Sequence, residues 1–264
     1  MRQRIRKLNQ TVSLHARSLY CYARLVSQVK KWNQNRPRIA AIVLSSFQWR
    51  NVPIVVHHLR RQAFIDSVYV FHNAPSRWPV PGAENIYAKE NPGCIARHHF
   101  AKGLEGYDYV AFCDDDLFPK SDISVELLEG LKLHGEKSVI GVYGRQLDLT
   151  KPHSAYSSGK EAHSSAITPA HVVKGRFHVV SSGLLKSLPD ALSHLKFEDD
   201  IRLSALTQIQ TQAPGYVLPL KKHFEELPQR YSLFKRSNHS EMRDKAVSEA
   251  LALGWRPNEM KSAA

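Results

Sequence analysis

An apolar stretch over residues 107–113 ends abruptly in three consecutive aspartates, Asp114, Asp115 and Asp116. The stretch has the composition of a buried strand, and carboxylates at the end of such a strand repel one another unless a cation lies beside them. A divalent ion removes this cost, because Mg²⁺ and Mn²⁺ take hard oxygen ligands and bridge carboxylates to a diphosphate. Side chains alternate along a strand, so Asp114 and Asp116 are predicted to bind metal, and Asp115 a ribose or backbone amides. The alternative is an acidic turn that caps a helix.

The chain before the aspartates alternates between strand and helix. A continuous apolar run over 39–44 predicts a buried parallel strand, helical spacing follows over 52–63, and a second strand is predicted over 67–72. Units of this kind build open α/β sheets whose ligands bind beyond the carboxyl ends of the strands. The predicted fold class is therefore α/β, with a central, mostly parallel sheet flanked by helices. Further strands are predicted over 85–88, 107–113, 138–143, 171–182 and 216–220, further helices over 95–104, 122–133, 184–195, 199–208 and 241–253, and a long loop over 148–169.

The net charge of +13 is concentrated at one end of the chain. Ten of the 37 Lys and Arg residues lie in the first 38 positions, which contain no acid, so the remainder carries 27 basic against 24 acidic side chains. A specific nucleic acid partner would need a basic face on the folded part, so none is predicted. The predicted organisation is a basic helical extension and linker over 1–36, a catalytic domain over 37–225, and a basic helical tail over 226–264 that packs on or covers the active site.

Apolar residues recur at helical spacing through residues 1–32, between arginines and lysines. Such a helix could rest on anionic lipid as a peripheral membrane contact, or it could pack on the domain by its apolar stripe. An Arg-rich start without acids is also typical of organelle transit peptides. The three cysteines show no metal-site or disulfide spacing, and no apolar run is long enough to cross a bilayer. The predicted location is cytoplasmic, with peripheral contact at the inner membrane surface as the alternative.

Four ordered segments carry a resemblance to a known family. They are the segment Asp108-Tyr-Val-Ala-Phe-Cys-Asp-Asp-Asp-Leu-Phe-Pro119, the earlier Asn91-x-Gly93-x-x-Ala96-Arg97, the later Lys174-Gly-Arg-Phe177, and Phe197-Glu-Asp-Asp200. Together they resemble glycosyltransferases with the A-type fold, close to the inverting family 2 group with its Asp-x-Asp and Glu-Asp motifs. The resemblance covers roughly residues 39–220 and implies a single Rossmann-like domain.

The resemblance also implies a nucleotide-sugar donor, with UDP as the expected carrier, and Mn²⁺ or Mg²⁺ as the metal. Asp114 and Asp116 would bind metal, and Asp114 and Asp115 would also contact the donor. The remaining residues expected on the nucleotide, at its base, ribose or diphosphate, are Ser45, Ser46, Phe47, Asn73, Asn91, Gly93 and Arg97.

An aspartate of the Glu-Asp motif is expected to take the proton from the acceptor hydroxyl, as a general base must. Asp199 is favoured by its position in the motif, and Asp200 is the alternative. Either could instead be a stabilised carboxylate at a helix N-terminus. His223, after the last predicted strand, is expected as a third metal ligand.

The resulting hypothesis is a metal-dependent, inverting hexosyltransferase that acts on a hydroxyl of a glycan, lipid or small-molecule acceptor. The family's C-terminal Gln-x-x-Arg-Trp element is reduced to the fragment Gln229-Arg230-Tyr231, and retaining enzymes share the Asp-x-Asp motif, so retention is the stereochemical alternative. A nucleotidyltransferase is a second hypothesis, although the glycines of a phosphate loop are missing after the first strand. A non-enzymatic module that binds membranes or nucleic acid through residues 1–38 is a third, and it leaves the aspartates unexplained.

Overall fold

The computed structural model describes residues 2–26, 36–46, 48–73, 78–162, 165–229 and 237–259, with side chains of the first helix described over 12–25. The helices are α1 Arg2–Val26, α2 Val52–Arg61, α3 Ala96–Lys102, α4 Ser124–His134, α5 Ser182–Ser187, α6 Asp199–Thr211 and α7 His239–Ala252. The strands are β1 Ile39–Ser45, β2 Ile65–His72, β3 Glu84–Tyr87, β4 Tyr109–Asp114, β5 Leu117–Pro119, β6 Ile140–Gly141, β7 Gly144–Gln146, β8 Lys160–Ala162, β9 Thr168–Ala170, β10 Val172–Val173, β11 Phe177–Ser181, β12 Gly215–Val217 and β13 Phe224–Glu226.

A central sheet of eight strands has the order β3-β2-β1-β4-β11-β6-β12-β9. The strands β3, β2, β1 and β4 run parallel, β11 is antiparallel to both of its neighbours, and β12 is parallel to β6. The carboxyl ends of β1, β2, β4, β6 and β12 therefore lie at one edge of the sheet. The predicted fold class, a mostly parallel sheet flanked by helices, is confirmed.

Alternating side chains of β1 pack against the two layers of helices, one on each face of the sheet. Ile39, Ala41 and Val43 belong to the cluster that includes α2 and α4, and the intervening residues belong to the cluster that includes α3, α5 and α6. Because both faces of the strand are fully buried, the sequence is apolar without interruption. A third cluster joins α6 to α7 around the buried Trp255.

Two sequence predictions on the second half of the chain were wrong, and part of that half forms a separate three-stranded sheet with the order β10-β7-β8. The predicted loop over 148–169 contains β8 and the first two residues of β9; each strand is three residues long, and they pair with β7 and β12 respectively. The predicted single strand over 171–182 is divided at Gly175 into β10, which pairs with β7, and β11, which pairs with β4. Strands this short show no periodicity of their own, because their positions are set by the strands with which they pair.

The first helix packs on the domain through one face. Leu25 is 2% exposed and joins the cluster around α2, and Arg17 pairs with Glu225 at 3.0 Å. Within the described ranges, no helix has the length and apolar character needed to cross a bilayer.

Candidate active site

The three aspartates lie at the carboxyl edge of the sheet, at the end of its central strand β4. Asp114 is the last residue of β4 and pairs in register with Leu44 of β1. The turn that follows is held from the other side, because the amide of Leu227 donates to the carbonyl of Asp116 at 2.7 Å. The sheet edge and the β5–β13 ribbon thus fix the backbone on which the three carboxylates are carried.

A buried arginine joins this turn to the second acidic motif. Arg97, on α3, is 2% exposed; its Nη1 donates to Oδ1 of Asp114 and its Nε to Oδ2 of Asp199, each at 2.8 Å. Burial alone would lower the pKa of Arg97, but the two carboxylates raise it above its ordinary value. The structure thereby brings together residues from three of the four segments that carry the family resemblance.

The other two aspartates have different partners. Oδ2 of Asp115 accepts the amide of Ser46 at 3.1 Å, and burial raises the pKa of Asp115 to about 8. Oδ1 of Asp116 is buried without a hydrogen-bond partner in the described parts of the chain, and Nη2 of Arg176 lies 3.8 Å away. Arg176 is engaged instead by Glu226, at 2.6 Å. Asp116 therefore retains an oxygen that a cation could take as a ligand.

These carboxylates suit an ion whose coordination is completed by substrate. No group of three or more His, Cys, Asp or Glu side chains is arranged to hold a metal among the described residues. Mg²⁺ is commonly bound through one or two carboxylates together with phosphates and water. Asp114 and Asp116 fit that role, and burial together with the neighbouring carboxylates raises the pKa of Asp114 against the lowering effect of Arg97. A bound cation would relieve the repulsion.

His223 lies outside this cluster. Its Nδ1 is 2.8 Å from the hydroxyl of Ser121, and its carbonyl accepts the amide of Lys120. Since β13 runs antiparallel to β5, Glu226 rather than His223 approaches the aspartate turn. The three residues of β5 separate Lys120 from Asp116, so four steps of extended chain put their backbones roughly 13 Å apart. The structure therefore does not bring His223 to the proposed metal ligands.

The predicted nucleotide-binding residues surround the ends of β1 and β2. The amide of Asn73 donates to the carbonyl of Ser45 at 2.7 Å, and its side-chain amide donates to the carbonyl of Gly93 at 3.1 Å. Oγ of Ser45 and Oδ1 of Asn73 are buried without hydrogen-bond partners within the described chain. Buried polar atoms of this kind are normally satisfied, so they are suited to a polar ligand.

The loop before α3 closes this side of the site. Gly93 has φ +87°, and a Cβ there would lie 2.4 Å from the carbonyl oxygen of Lys196, so a side chain is excluded by conformation and by space. Oδ1 of Asn91 accepts the amide of Gly93 at 2.9 Å. Phe47, which was also predicted to contact the nucleotide, lies outside the described residues.

Asp200 has a separate set of partners from Asp199. Its Oδ2 accepts Nη2 of Arg243 at 2.7 Å and the amide of Gly175 at 3.2 Å, and its Oδ1 accepts the amide of Ile201. Burial would raise the pKa of Asp200, but Arg243 and these amides hold it below its ordinary range. Of the two candidate bases, Asp200 is the more completely hydrogen-bonded.

Several residues of this region were not predicted from the sequence. His98 and His178 are fully buried behind Arg97, with ring centroids 5.8 Å apart, and Nε2 of His98 lies 3.5 Å from Oδ2 of Asp199. Burial lowers the pKa of both rings, so they are neutral packing partners. Arg243, predicted only as part of a basic tail, is the partner of Asp200. No local sequence pattern predicts these contacts, because each joins elements that are far apart in the chain.

Solved structures share this architecture. No protein-family model matches the chain, and no curated protein matches it in sequence. A crystal structure of GalNAc-T7 with UDP, GalNAc and Mn²⁺ has a TM-score of 0.63 at 8% identity, over 85% of this chain and 52% of that one. The structure of the mannosyltransferase PcManGT of Pyrobaculum calidifontis, in complex with GDP-Man and Mn²⁺, has a TM-score of 0.51 at 14% identity, over 96% of this chain and 83% of that one. A crystal structure of TarS of S. aureus has a TM-score of 0.50 at 14% identity, over 81% of this chain and 43% of that one.

The fold is the A-type glycosyltransferase fold. The chain spans about half the length of the GalNAc-T7 structure that it matches. At these identities the likeness concerns the fold alone, and it does not single out family 2, so that assignment stays a prediction. In this A-type domain the aspartate turn, Arg97 and the start of α6 form one site at the carboxyl edge of the sheet.

We expect Asp200→Asn to lower the free energy of unfolding by about 3 kcal/mol at pH 7, because it leaves the buried Arg243 without its counter-charge. The pKa of Asp200 is lower in the folded state than in the unfolded chain. The pair therefore contributes its full stabilisation above the unfolded pKa of an aspartate, about 3.9. It is lost as pH falls through the folded pKa. Urea unfolding at pH 7 and pH 3.5 should therefore show a smaller difference from wild type at the lower pH.

The control for this prediction is Glu105→Gln, which breaks the exposed Lys186–Glu105 pair and should leave stability nearly unchanged. An equal loss at both pH values, or equal losses in both variants, would show that the Asp200–Arg243 pair does not contribute as described.

Proposed function

We propose that the protein is a metal-dependent glycosyltransferase. It moves a hexosyl group from a nucleoside-diphosphate donor, with UDP as the expected carrier, to a hydroxyl of a glycan, lipid or small-molecule acceptor, with inversion. The observation that carries the proposal is the buried Arg97, which holds a carboxylate of the aspartate turn and a carboxylate of the Glu-Asp motif in one site. Sugar transfer needs both, one beside the leaving diphosphate and one beside the attacking hydroxyl.

On the donor side, Asp114 and Asp116 would hold Mn²⁺ or Mg²⁺, which neutralises charge on the leaving diphosphate when it is bound. The presence of Mn²⁺ in the GalNAc-T7 and PcManGT structures supports this choice of metal. Ser45 and Asn73 would use their buried oxygens on the base or ribose, and Asp115 keeps the loop after β1 in place through Ser46.

On the acceptor side, Asp199 is the proposed base. In the inverting reaction the acceptor oxygen forms a bond to the anomeric carbon as the bond to the diphosphate breaks, and the hydroxyl proton passes to the base. Only Oδ2 of Asp199 is taken by Arg97, so its second oxygen is left to accept that proton. Asp200 is assigned a positioning role, since both of its oxygens are held at the start of α6.

The first test is a panel of nucleotide sugars incubated with the purified chain, with and without Mn²⁺, while released nucleoside diphosphate is measured. We expect metal-dependent release from one donor, and a loss of about a hundredfold or more in Asp116→Ala, which removes a proposed ligand. Glu129→Ala, which removes an exposed carboxylate on α4, should keep wild-type activity. Release that does not depend on metal, or an active Asp116→Ala variant, would contradict the assignment. Pyrophosphate released from a nucleoside triphosphate and a sugar phosphate would point to a nucleotidyltransferase.

The assignment of the base is tested by Asp199→Asn and Asp200→Asn in the transfer reaction. Asp199→Asn should keep donor affinity and lose transfer by about a hundredfold or more, which is what a general base contributes. Asp200→Asn should retain most of its turnover at a temperature where both variants are folded. The reverse pattern would make Asp200 the base.

We also propose that α1 rests on an anionic membrane surface. Its inner face packs on the domain, while Val12, Leu19 and Tyr20 are 61%, 71% and 61% exposed on the outer face. Ala16, between Val12 and Leu19, and Ala23, three residues after Tyr20, are also exposed, so the five residues form one apolar stripe at helical spacing. The excess of ten basic residues without an acid in positions 1–38 is complementary to anionic lipid.

Sedimentation with lipid vesicles tests the membrane contact. The chain should bind vesicles of phosphatidylcholine and phosphatidylserine. The double variant Leu19→Glu with Tyr20→Glu should weaken binding at least about tenfold, because it removes apolar area that would enter the lipid and adds carboxylates that the anionic surface repels. The matched control, Val125→Glu with Leu133→Glu, changes two exposed apolar residues on α4 and should bind normally. Equal loss in both double variants, or equal binding to pure phosphatidylcholine, would overturn the proposal.

A further inference from the structure

A cleft of about 640 Å³ opens at the carboxyl ends of β6 and β12. Val142 and Leu218, which directly follow β6 and β12, form its floor together with Phe224, and these three residues are almost completely buried. The exposed residues Lys120, Lys221 and Lys222 line its rim. The cleft therefore combines an apolar floor with a cationic rim.

The cleft lies at the same edge of the sheet as the aspartate turn, since β4, β6 and β12 are parallel. One aromatic ring links the two places: Nζ of Lys221 is 5.8 Å from the centroid of Tyr143, and Cζ of Arg176 is 4.8 Å from the same centroid. Arg176 is in turn 3.8 Å from Asp116. A molecule in the cleft would thus lie on the same side of the fold as the proposed metal ligands, separated from them by Tyr143 and Arg176.

Among the described residues, no carboxylate lines the cleft. The two acids on the adjacent strand β13 are neutralised by arginines, Glu225 by Arg17 and Glu226 by Arg176. Three like charges around one cleft repel one another, and a bound anion replaces that repulsion with attraction.

Resting on the proposed function, we propose that this cleft binds an anionic group of the acceptor, a phosphate or a carboxylate. The group is held by the lysine rim while the rest of the acceptor extends past Tyr143 toward the aspartate turn. The apolar floor selects acceptors in which the anion is attached to a ring or chain that packs on Leu218 and Phe224.

Calorimetric titration of the full chain with three sugars of similar size tests this proposal. Glucose 6-phosphate carries the phosphate, glucuronate carries the carboxylate, and glucose is neutral. We expect the cleft to bind one or both charged sugars and not glucose, and the stronger of the two identifies the anion. Binding should weaken as salt is raised, because it depends on exposed charges.

The variant Lys221→Ala with Lys222→Ala should lower the affinity for the charged sugar about tenfold, which is the combined effect of losing two exposed ionic contacts. The control, Lys132→Ala with Lys137→Ala, removes the same charge from exposed positions on and after α4 and should bind normally. Binding of glucose as strong as that of both charged sugars, or no difference between the two double variants, overturns the proposal.

A repeat titration with UDP and Mn²⁺ present separates the acceptor from the donor. Affinity that is unchanged or improved supports an acceptor site, whereas competition would assign the lysines to the donor diphosphate and overturn the inference. Metal-dependent donor cleavage without anion binding would refute only this inference. Anion binding without cleavage of any donor would refute the glycosyltransferase proposal and leave the cleft as an anion site.

Discussion

The interaction on which the site depends is the buried ion pair of Arg97 with Asp114 and Asp199. A guanidinium that is 2% exposed is costly unless its charge and its N–H groups are matched, and here two carboxylates match it. The partners come from α3, β4 and α6, so the pair fixes three elements relative to one another. It also determines which carboxylates remain available. One oxygen of Asp114 is taken by the arginine, whereas Oδ1 of Asp116 has no hydrogen bond in the described chain.

The first half of the fold could be predicted because its signals are local. The fully buried strands β1 and β4 are continuous apolar runs, and the helices between them have a clear period, so their order and type are visible in the sequence. The second half depends on pairing. The strands β8, β9 and β10 have two or three residues each, and neighbouring strands rather than their own composition determine where they lie. The predicted loop over 148–169 was wrong for this reason.

The candidate site shows the same division. The three aspartates are conspicuous because adjacent carboxylates after a buried strand are costly, and the structure places them at the expected edge of the sheet. The partners of Asp199 and Asp200 were not visible, since Arg97 is 102 residues from Asp199 and Arg243 is 43 from Asp200. The placement of His223 follows from the antiparallel register of β13 against β5, which sequence position alone does not specify.

The two ends of this sheet edge have opposite charge, and that difference separates their chemistry. The aspartate turn repels a diphosphate, so on electrostatic grounds a donor can approach it only together with a cation. The cleft at β6 and β12 has a lysine rim, and no carboxylate of the described chain lines it, so it attracts an anion without help from a metal. Arg176 lies between the two, within 3.8 Å of Asp116 and against the ring of Tyr143. Because Glu226 engages Arg176, the guanidinium does not pair fully with Asp116, and one carboxylate oxygen of Asp116 is left for a cation. The same ion pair neutralises Glu226, so its carboxylate does not offset the charge of the lysines around the cleft. Dependence on metal should therefore belong to the donor half of the site alone.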